Sequence, residues 1–236
     1  LKAFLIDNGI YITKVLEFIA AFAGTLYIRK NKNSVIKIFV IYLWITFIIE
    51  VVALYTYVMQ HNYDYNWFIA IKNSNFCNNR WLYNIYSFLA IGLIGLFYSN
   101  LMSTKLFRNI IRVVFIFFSV FVFMFFTLTD AFFARSIPYA FVLGTVVICL
   151  YVILYFIELM RSEELLNFKK MPSFYISIAL LLWYLCATPL FIFDSYFKAV
   201  NTDFVNFRNV FLLIINIFTY LCFTFGFWYS LKKSKQ

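Results

Sequence analysis

Seven long apolar stretches, joined by links too short to hold a folded domain, constrain this chain more than any other feature. They cover 8–28, 36–58, 81–102, 110–129, 137–159, 173–193 and 208–230 of its 236 residues. Crossing roughly 30 Å of hydrocarbon as an α-helix takes about 20 residues, and each stretch reaches that length. The longest link, 59–80, leaves no room for an extramembrane domain. Composition then removes the alternative of a soluble helical bundle: 64% of the residues are hydrophobic, 24% aromatic and only 13% charged. A soluble domain uses about 25% charged residues to coat its outer surface. In lipid that coat is not needed, and a helix satisfies its backbone polar groups internally. The expected fold is all-α: one polytopic domain over 1–236 with seven transmembrane helices. Soluble enzymes, disulfide scaffolds and disordered chains are excluded. The first stretch carries Lys14 and Glu17 in its middle and no small-residue cleavage site follows it, so it reads as a span, not a signal peptide. The chain opens on Leu1, and a short segment ahead of it is expected.

The charges predict an orientation. Lys and Arg of short loops collect on the cytoplasmic side, whereas acidic residues count for little. Arg29, Lys30, Lys32 and Lys37 lie between spans 1 and 2, and Lys105, Arg108 and Arg112 around the link between spans 3 and 4. Arg161, Lys169 and Lys170 follow span 5, and Lys232, Lys233 and Lys235 close the tail. The opposite side carries Lys2, Lys72, Arg80, Arg135, Lys198 and Arg208 together with all five aspartates, Asp7, Asp64, Asp130, Asp194 and Asp203. An outside N-terminus and a cytoplasmic C-terminus follow. The net charge of +10 is then a cytoplasmic property that attracts anionic headgroups. Bases split among four short loops form no stripe for nucleic acid, so none is expected as a partner.

Tyr and Trp are expected in belts at both interfaces: Tyr11, Tyr57, Trp67, Trp81, Tyr139 and Tyr196 outside; Tyr27, Tyr98, Tyr175, Trp228 and Tyr229 inside. Phenylalanines at 115, 117, 118, 121, 123, 125 and 126 cover every face of span 4, which should meet lipid or an apolar partner. Ala20, Ala21, Ala23 and Gly24 in span 1 and Gly92 and Gly95 in span 3 allow close helix approach, and span 1 is expected against span 2 or span 3.

Ionisable residues within a span are costly and therefore mark candidate sites. Glu17 and Glu50 fall at similar depth, roughly 12–14 Å below the outer boundary at 1.5 Å per residue. Lys14 stands one turn above Glu17 at spacing i, i+3, where side chains meet. A Lys14–Glu17–Glu50 cluster is expected, with Asn84, Ser87, Tyr184, Thr188 and Asn216 at comparable depth and a kink at Pro189. Together they outline a polar pocket in the outer half for a small ligand or a proton. The competing reading is that Lys14 and Glu17 only neutralise each other and that the amides and hydroxyls join packed helices. Glu50, a lone carboxylate in mid-span, is the sharper candidate.

Other chemistry has little support. His61 is the one histidine, so a His-based metal centre or triad is not expected, and no cofactor is implied. Only Cys77 of the four cysteines lies in an outer loop, which excludes a disulfide within the chain there. There is no metalloprotease, nucleophile-elbow or phosphate-loop motif. The absence of an N-x-[ST] acceptor fits a bacterial chain. The inner link Arg161–Lys170, with Arg161, Glu163, Glu164, Lys169 and Lys170 around Leu165, Leu166 and Phe168, is a candidate contact for a partner protein or for lipid.

Seven spans with an outside N-terminus are shared by rhodopsins, G-protein-coupled receptors and small sugar transporters, and each requires residues missing here. Span 7 has no lysine for retinal and no proline for the receptor Asn-Pro motif. Span 3 closes on Tyr98-Ser99-Asn100-Leu101 instead of an acidic-Arg-Tyr motif, and spans 1 and 2 lack the transporters' prolines. Over about its last two thirds the chain resembles a loose group of bacterial seven-helix inner-membrane proteins. Trp81-Leu82-Tyr83-Asn84 opening span 3, Tyr155-Phe156-Ile157-Glu158-Leu159 closing span 5 and Pro172-Ser173-Phe174-Tyr175-Ile176 opening span 6 carry the likeness. The resemblance implies architecture and a location in the bacterial inner membrane, and brings no activity. The function expected is non-enzymatic: a receptor-like or signalling subunit acting through a membrane or cytoplasmic partner. An accessory subunit of a larger complex and a proton-coupled transporter are the alternatives.

Overall fold

The computed structural model describes residues 2–61, 63–129, 131–134, 138–197 and 202–233. Asp130, Arg135, Lys198 and Lys235 lie outside the described residues, as do the side chains of Lys2, Asp7, Tyr139, Glu164, Asp194, Tyr196, Asp203 and Lys233. The helices in chain order are α1 (Lys2–Asn31), α2 (Ser34–Val52), α3 (Tyr55–Val58), α4 (Asn66–Lys72), α5 (Arg80–Leu101), α6 (Lys105–Leu128), α7 (Ala131–Ala134), α8 (Pro138–Arg161), α9 (Pro172–Phe197) and α10 (Thr202–Lys233). Short 3-10 turns occupy Asn75–Cys77 and Glu163–Lys170, and no strand occurs among the described residues. Seven helices, α2 being counted together with α3, are long and apolar enough to cross a membrane. The chain is an integral, multi-pass membrane protein. The face on which α1 begins is called the N-face below, and the one on which α10 ends the C-face.

Local chemistry sets the turns. α1 stops at Lys32, whose φ of 46° turns the backbone into the left-handed region and whose N–H still reaches the Ile28 carbonyl at 2.8 Å. Asn33 then caps α2, its Oδ1 accepting from the amides of Val35 and Ile36 at 3.0 and 3.1 Å. The second span is not one uninterrupted helix to residue 58. Around Ala53 and Leu54 the amides of Leu54, Thr56 and Tyr57 bond three residues back, and Thr56 Oγ1 takes the Ala53 carbonyl at 3.0 Å. The tightened turn separates α2 from α3.

Six of the long helices close a ring in the order α1, α2, α5, α8, α9, α10, each packed on the next and α10 packed back on α1. α6 stands outside the ring, against α5 and α8. Its outer face, with Phe117 71% and Phe123 70% exposed, is left for an apolar surrounding, as its phenylalanines predict; Phe118 alone among those seven is buried in the core. The small residues of α1 seat α10 as well as α2, where α2 or α5 was expected. Ala20 and Ala21 are fully buried, and a Cβ on Gly24 would stand 2.6 Å from Val40 and 3.1 Å from Phe227. Gly92 and Gly95 receive Phe115 of α6 and Tyr151 of α8, not α1. The expectation missed α10 because contacts between the two ends of a chain leave no local pattern.

Toward the C-face, hydroxyls join neighbouring helices. Tyr98 pairs with Ser177 at 2.8 Å, Tyr155 with Ser173 at 2.9 Å, and Trp44 donates to Thr25 at 3.0 Å. The Glu158 carboxylate on α8 accepts from the amide and hydroxyl of Ser103, both at 2.6 Å, and from the Thr104 amide. It thereby caps the start of α6 from outside that helix, where a negative charge is favoured. Two of the expected belt residues belong to this interior: Tyr98 is fully buried and Tyr27 is packed on Phe227. A tyrosine suits either an interface or a buried site with a partner for its hydroxyl, and here the partner decides. Tyr11, Tyr57, Trp67 and Trp228 are exposed, as belt residues should be.

Candidate functional site

Near the N-face three charged residues converge between α1 and α2. Lys14 on α1 reaches across and makes an ion pair with Glu50 on α2, their side chains 14% and 25% exposed. One turn deeper, Glu17 is 3% exposed, and its Oε2 is buried with no hydrogen-bond partner. Both Lys14 and Glu50 lie within electrostatic range of it. The three charges therefore form one cluster, but the pairing differs from the sequence argument. Lys14 is committed to the helix opposite instead of to its own i, i+3 neighbour, so Glu17, not Glu50, is the carboxylate left over.

Tyrosines from three helices meet these carboxylates. Tyr220 of α10 donates a hydrogen bond to the Glu17 carboxylate, Tyr83 of α5 one to Glu50, and Tyr42 of α2 is in range of Glu17. Thr46 Oγ1 bonds the Tyr42 carbonyl at 2.9 Å and shares a 2.9 Å hydrogen bond with the Tyr86 hydroxyl. Tyr184 of α9 is buried beside Tyr42, stacked on Phe141 with centroids 6.0 Å apart and edge-on to Trp183 at 4.8 Å. Toward the C-face the cluster is floored by aromatic rings: Phe39 meets Tyr42, Phe97 and Phe223 at 5.3, 5.4 and 5.1 Å. The cluster is thus polar above and apolar below, with one ammonium set against two carboxylates. If both are ionised, an uncompensated negative charge sits in a site where charge is costly unless paired.

The remaining expected site residues do not converge on Glu17. Asn84 turns to the connection beyond it and donates to the Phe132 carbonyl at 2.9 Å, holding α7. Ser87 faces outward and is exposed. Asn216 accepts from Trp183 Nε1 at 2.7 Å, joining α9 to α10, and Thr188 pairs with Thr145 of α8 at 2.8 Å. α9 runs through Pro189, whose ring is exposed. Arg161 ends α8, and Glu163, Lys169 and Lys170 lie along the 3-10 turn that follows; Leu166 is 88% exposed while Phe168 packs on Phe174 at 4.7 Å. Tyr42, Thr46, Tyr83, Tyr86 and Tyr220 were missed by sequence reasoning. The available signal was polar residues one turn apart within a span: Tyr42 and Thr46, Tyr83 and Tyr86, Asn216 and Tyr220. No three His, Cys, Asp or Glu side chains gather as a metal site among the described residues, and the cysteines are free thiols.

The fold and this site define a class, a seven-helix integral membrane protein with a buried carboxylate near its N-face. Comparison with known protein families, curated proteins and solved structures returned no match, so the geometry carries the functional argument.

Proposed function

We propose that the chain is a receptor-like or signalling subunit of the bacterial inner membrane, with its N-face outside and its C-face in the cytoplasm. It binds a small ligand or a proton at the Glu17 pocket and acts through a partner protein. One observation carries this reading: a buried carboxylate oxygen without a hydrogen-bond partner, beside an ion pair that leaves it uncompensated. Arg108 Nε, Thr219 Oγ1 and Ser230 Oγ are buried and unpaired as well, and Glu17 is the carboxylate among the four. The basic residues of the C-face support the orientation. The floor of Phe39, Phe97 and Phe223 supports a site served from one side over a transport path through the bundle. The partner is inferred from the size of the C-face links, whose longest structured piece is the turn Glu163–Lys170.

The test is a pH titration of the detergent-purified chain, between about pH 5 and 9, followed by tryptophan fluorescence and by hydrogen exchange of the link 161–170. A transition that reaches this link and disappears in Glu17→Gln is expected. The same transition in both proteins, or none in either together with no ligand response, would reduce Glu17 to a packing residue. A second reading, an accessory subunit, draws support from α6. Its exposed apolar face and an apolar groove of about 420 Å³ between α6 and α8, lined by Val114, Phe117, Phe121, Leu143 and Val146, form a contact surface. Isolation of a stoichiometric assembly in mild detergent would favour it.

A further inference from the structure

We infer that α6 carries, at its C-face end, a binding site for one anionic phospholipid, with the phosphate held by Lys105, Arg108 and Arg112 and an acyl chain laid along Ile116 and Phe123. Spacing in the sequence sets the arrangement. From Lys105 the steps to Arg108, Arg112, Ile116 and Phe123 are three, four, four and seven residues, which keeps all five on one face of a helix. Val114, Phe117 and Phe121, which line the groove toward α8, lie on another flank. The row stays largely uncovered: Lys105, Arg112, Ile116 and Phe123 are exposed and Arg108 is half-buried. Its charge is also unbalanced. None of the three bases pairs with a carboxylate among the described residues. Glu158, at the start of the same helix, is engaged by Ser103 and Thr104. Arg108 donates to the Met102 carbonyl at 2.8 Å, while its Nε is buried and unpaired.

Depth singles this row out from the other bases of the C-face. Arg29, Lys30, Lys32 and Lys37 lie within about one turn of the link between α1 and α2. Arg112 stands roughly 10 Å along α6 from Lys105, at 1.5 Å per residue. A charge inside a span nearly always faces the bundle interior, where another protein group can meet it. Arg112 is instead exposed on the one long helix outside the ring, so its surroundings are lipid. The guanidinium fork matches two phosphate oxygens, and the neighbouring bases add the charge that an anionic headgroup seeks. Beyond Arg112 the row is apolar. From there to Phe123 is roughly 16 Å at 1.5 Å per residue, close to the half-thickness of a 30 Å hydrocarbon core. The row thus reads as charge followed by one leaflet's length of apolar side chain, the plan of a phospholipid. A free phosphate would use the bases and leave the apolar part unused, and a zwitterionic lipid would bring its own cation to three others.

The probes are dioleoyl phosphatidylglycerol, its short-chain dihexanoyl analogue, dioleoyl phosphatidylcholine and inorganic phosphate. Each is titrated into the full chain in a neutral detergent, with Tm and the lipid retained in native mass spectrometry as readouts. Dioleoyl phosphatidylglycerol is expected to give a saturable rise in Tm and one retained molecule. The short-chain analogue and phosphatidylcholine should act more weakly, and phosphate should do nothing. Arg112→Gln should raise the half-saturating concentration about fivefold, the worth of one base beside an anionic headgroup. Lys105→Gln, at an exposed side chain, should raise it by a similar factor. Lys30→Gln, which removes the same charge from the end of α1, should leave it unchanged. Equal responses to the two dioleoyl lipids, or a response to phosphate that matches the lipid's, would overturn the assignment. So would unchanged half-saturation in both α6 variants. An equal loss in Lys30→Gln and Arg112→Gln would also overturn it, replacing the site with diffuse attraction to the whole C-face.

Discussion

The two ends of the bundle treat their carboxylates differently. Toward the C-face, Tyr98 with Ser177 and Tyr155 with Ser173 join helices through neutral pairs, and Glu158 is supplied with donors by Ser103 and Thr104. Toward the N-face, a buried Glu17 and a half-buried Glu50 share one lysine, and Glu17 Oε2 has no hydrogen-bond partner. Satisfied pairs stabilise and specify packing, whereas an uncompensated buried charge costs stability. The contrast separates residues that hold the helices together from residues retained at a cost, and the second kind marks a site.

The sharpest way to break this comparison is to remove the one ammonium. Lys14→Met leaves two carboxylates facing each other and should cost about 3 kcal/mol in equilibrium unfolding in detergent, most of it recovered by the double variant Lys14→Met/Glu50→Gln. Recovery of little or none would mean that Lys14 acts through packing and not through its charge. Next in size is a test of the frame itself. A Cβ on Gly226 would lie 2.7 Å from Tyr175 Cβ, close to the backbone of α9, so Gly226→Ala should cost about 2 kcal/mol by forcing α9 and α10 apart. Smaller still, Tyr98→Phe should cost about 1 kcal/mol, the net worth of a buried neutral hydrogen bond, measured by the same unfolding assay. The smallest change is expected on the outside of α6. Phe117→Ala, at a side chain 71% exposed, should shift stability by less than about 0.5 kcal/mol, and a larger loss would show that α6 is covered by another protein surface.

Much of the architecture can be read without coordinates because hydrocarbon thickness imposes one length on every span. All seven expected spans correspond to long apolar helices, with ends differing by a few residues. What sequence did not reveal is which helices touch. A helix apolar on all sides shows no stripe that points to its neighbour, so the closure of α10 onto α1 had no local signature. The charged cluster was legible from depth alone, since Lys14, Glu17 and Glu50 are rare in mid-span. Its internal pairing was not, because i, i+3 spacing makes Lys14–Glu17 possible and only the rotation of α1 against α2 gives Lys14 to Glu50. The tyrosine lining was hidden by the frequency of tyrosine in this chain, 18 residues, which made each one look like an interface anchor. Asn84 and Asn216 show the reverse error: polar residues at the expected depth that are consumed by the Phe132 carbonyl and by Trp183.

The central claim, that Glu17 is kept for its chemistry and not for packing, is tested most directly by the stability of Glu17→Gln. Equilibrium unfolding of this variant, wild type and Tyr98→Phe in the same detergent near neutral pH places the two halves on one scale. The account predicts that Glu17→Gln is at least as stable as wild type, with a gain that grows with pH to about 1 kcal/mol as the wild-type carboxyl is forced to ionise in a buried site. A loss equal to or greater than that of Tyr98→Phe would contradict it and make Glu17 one more joint between helices.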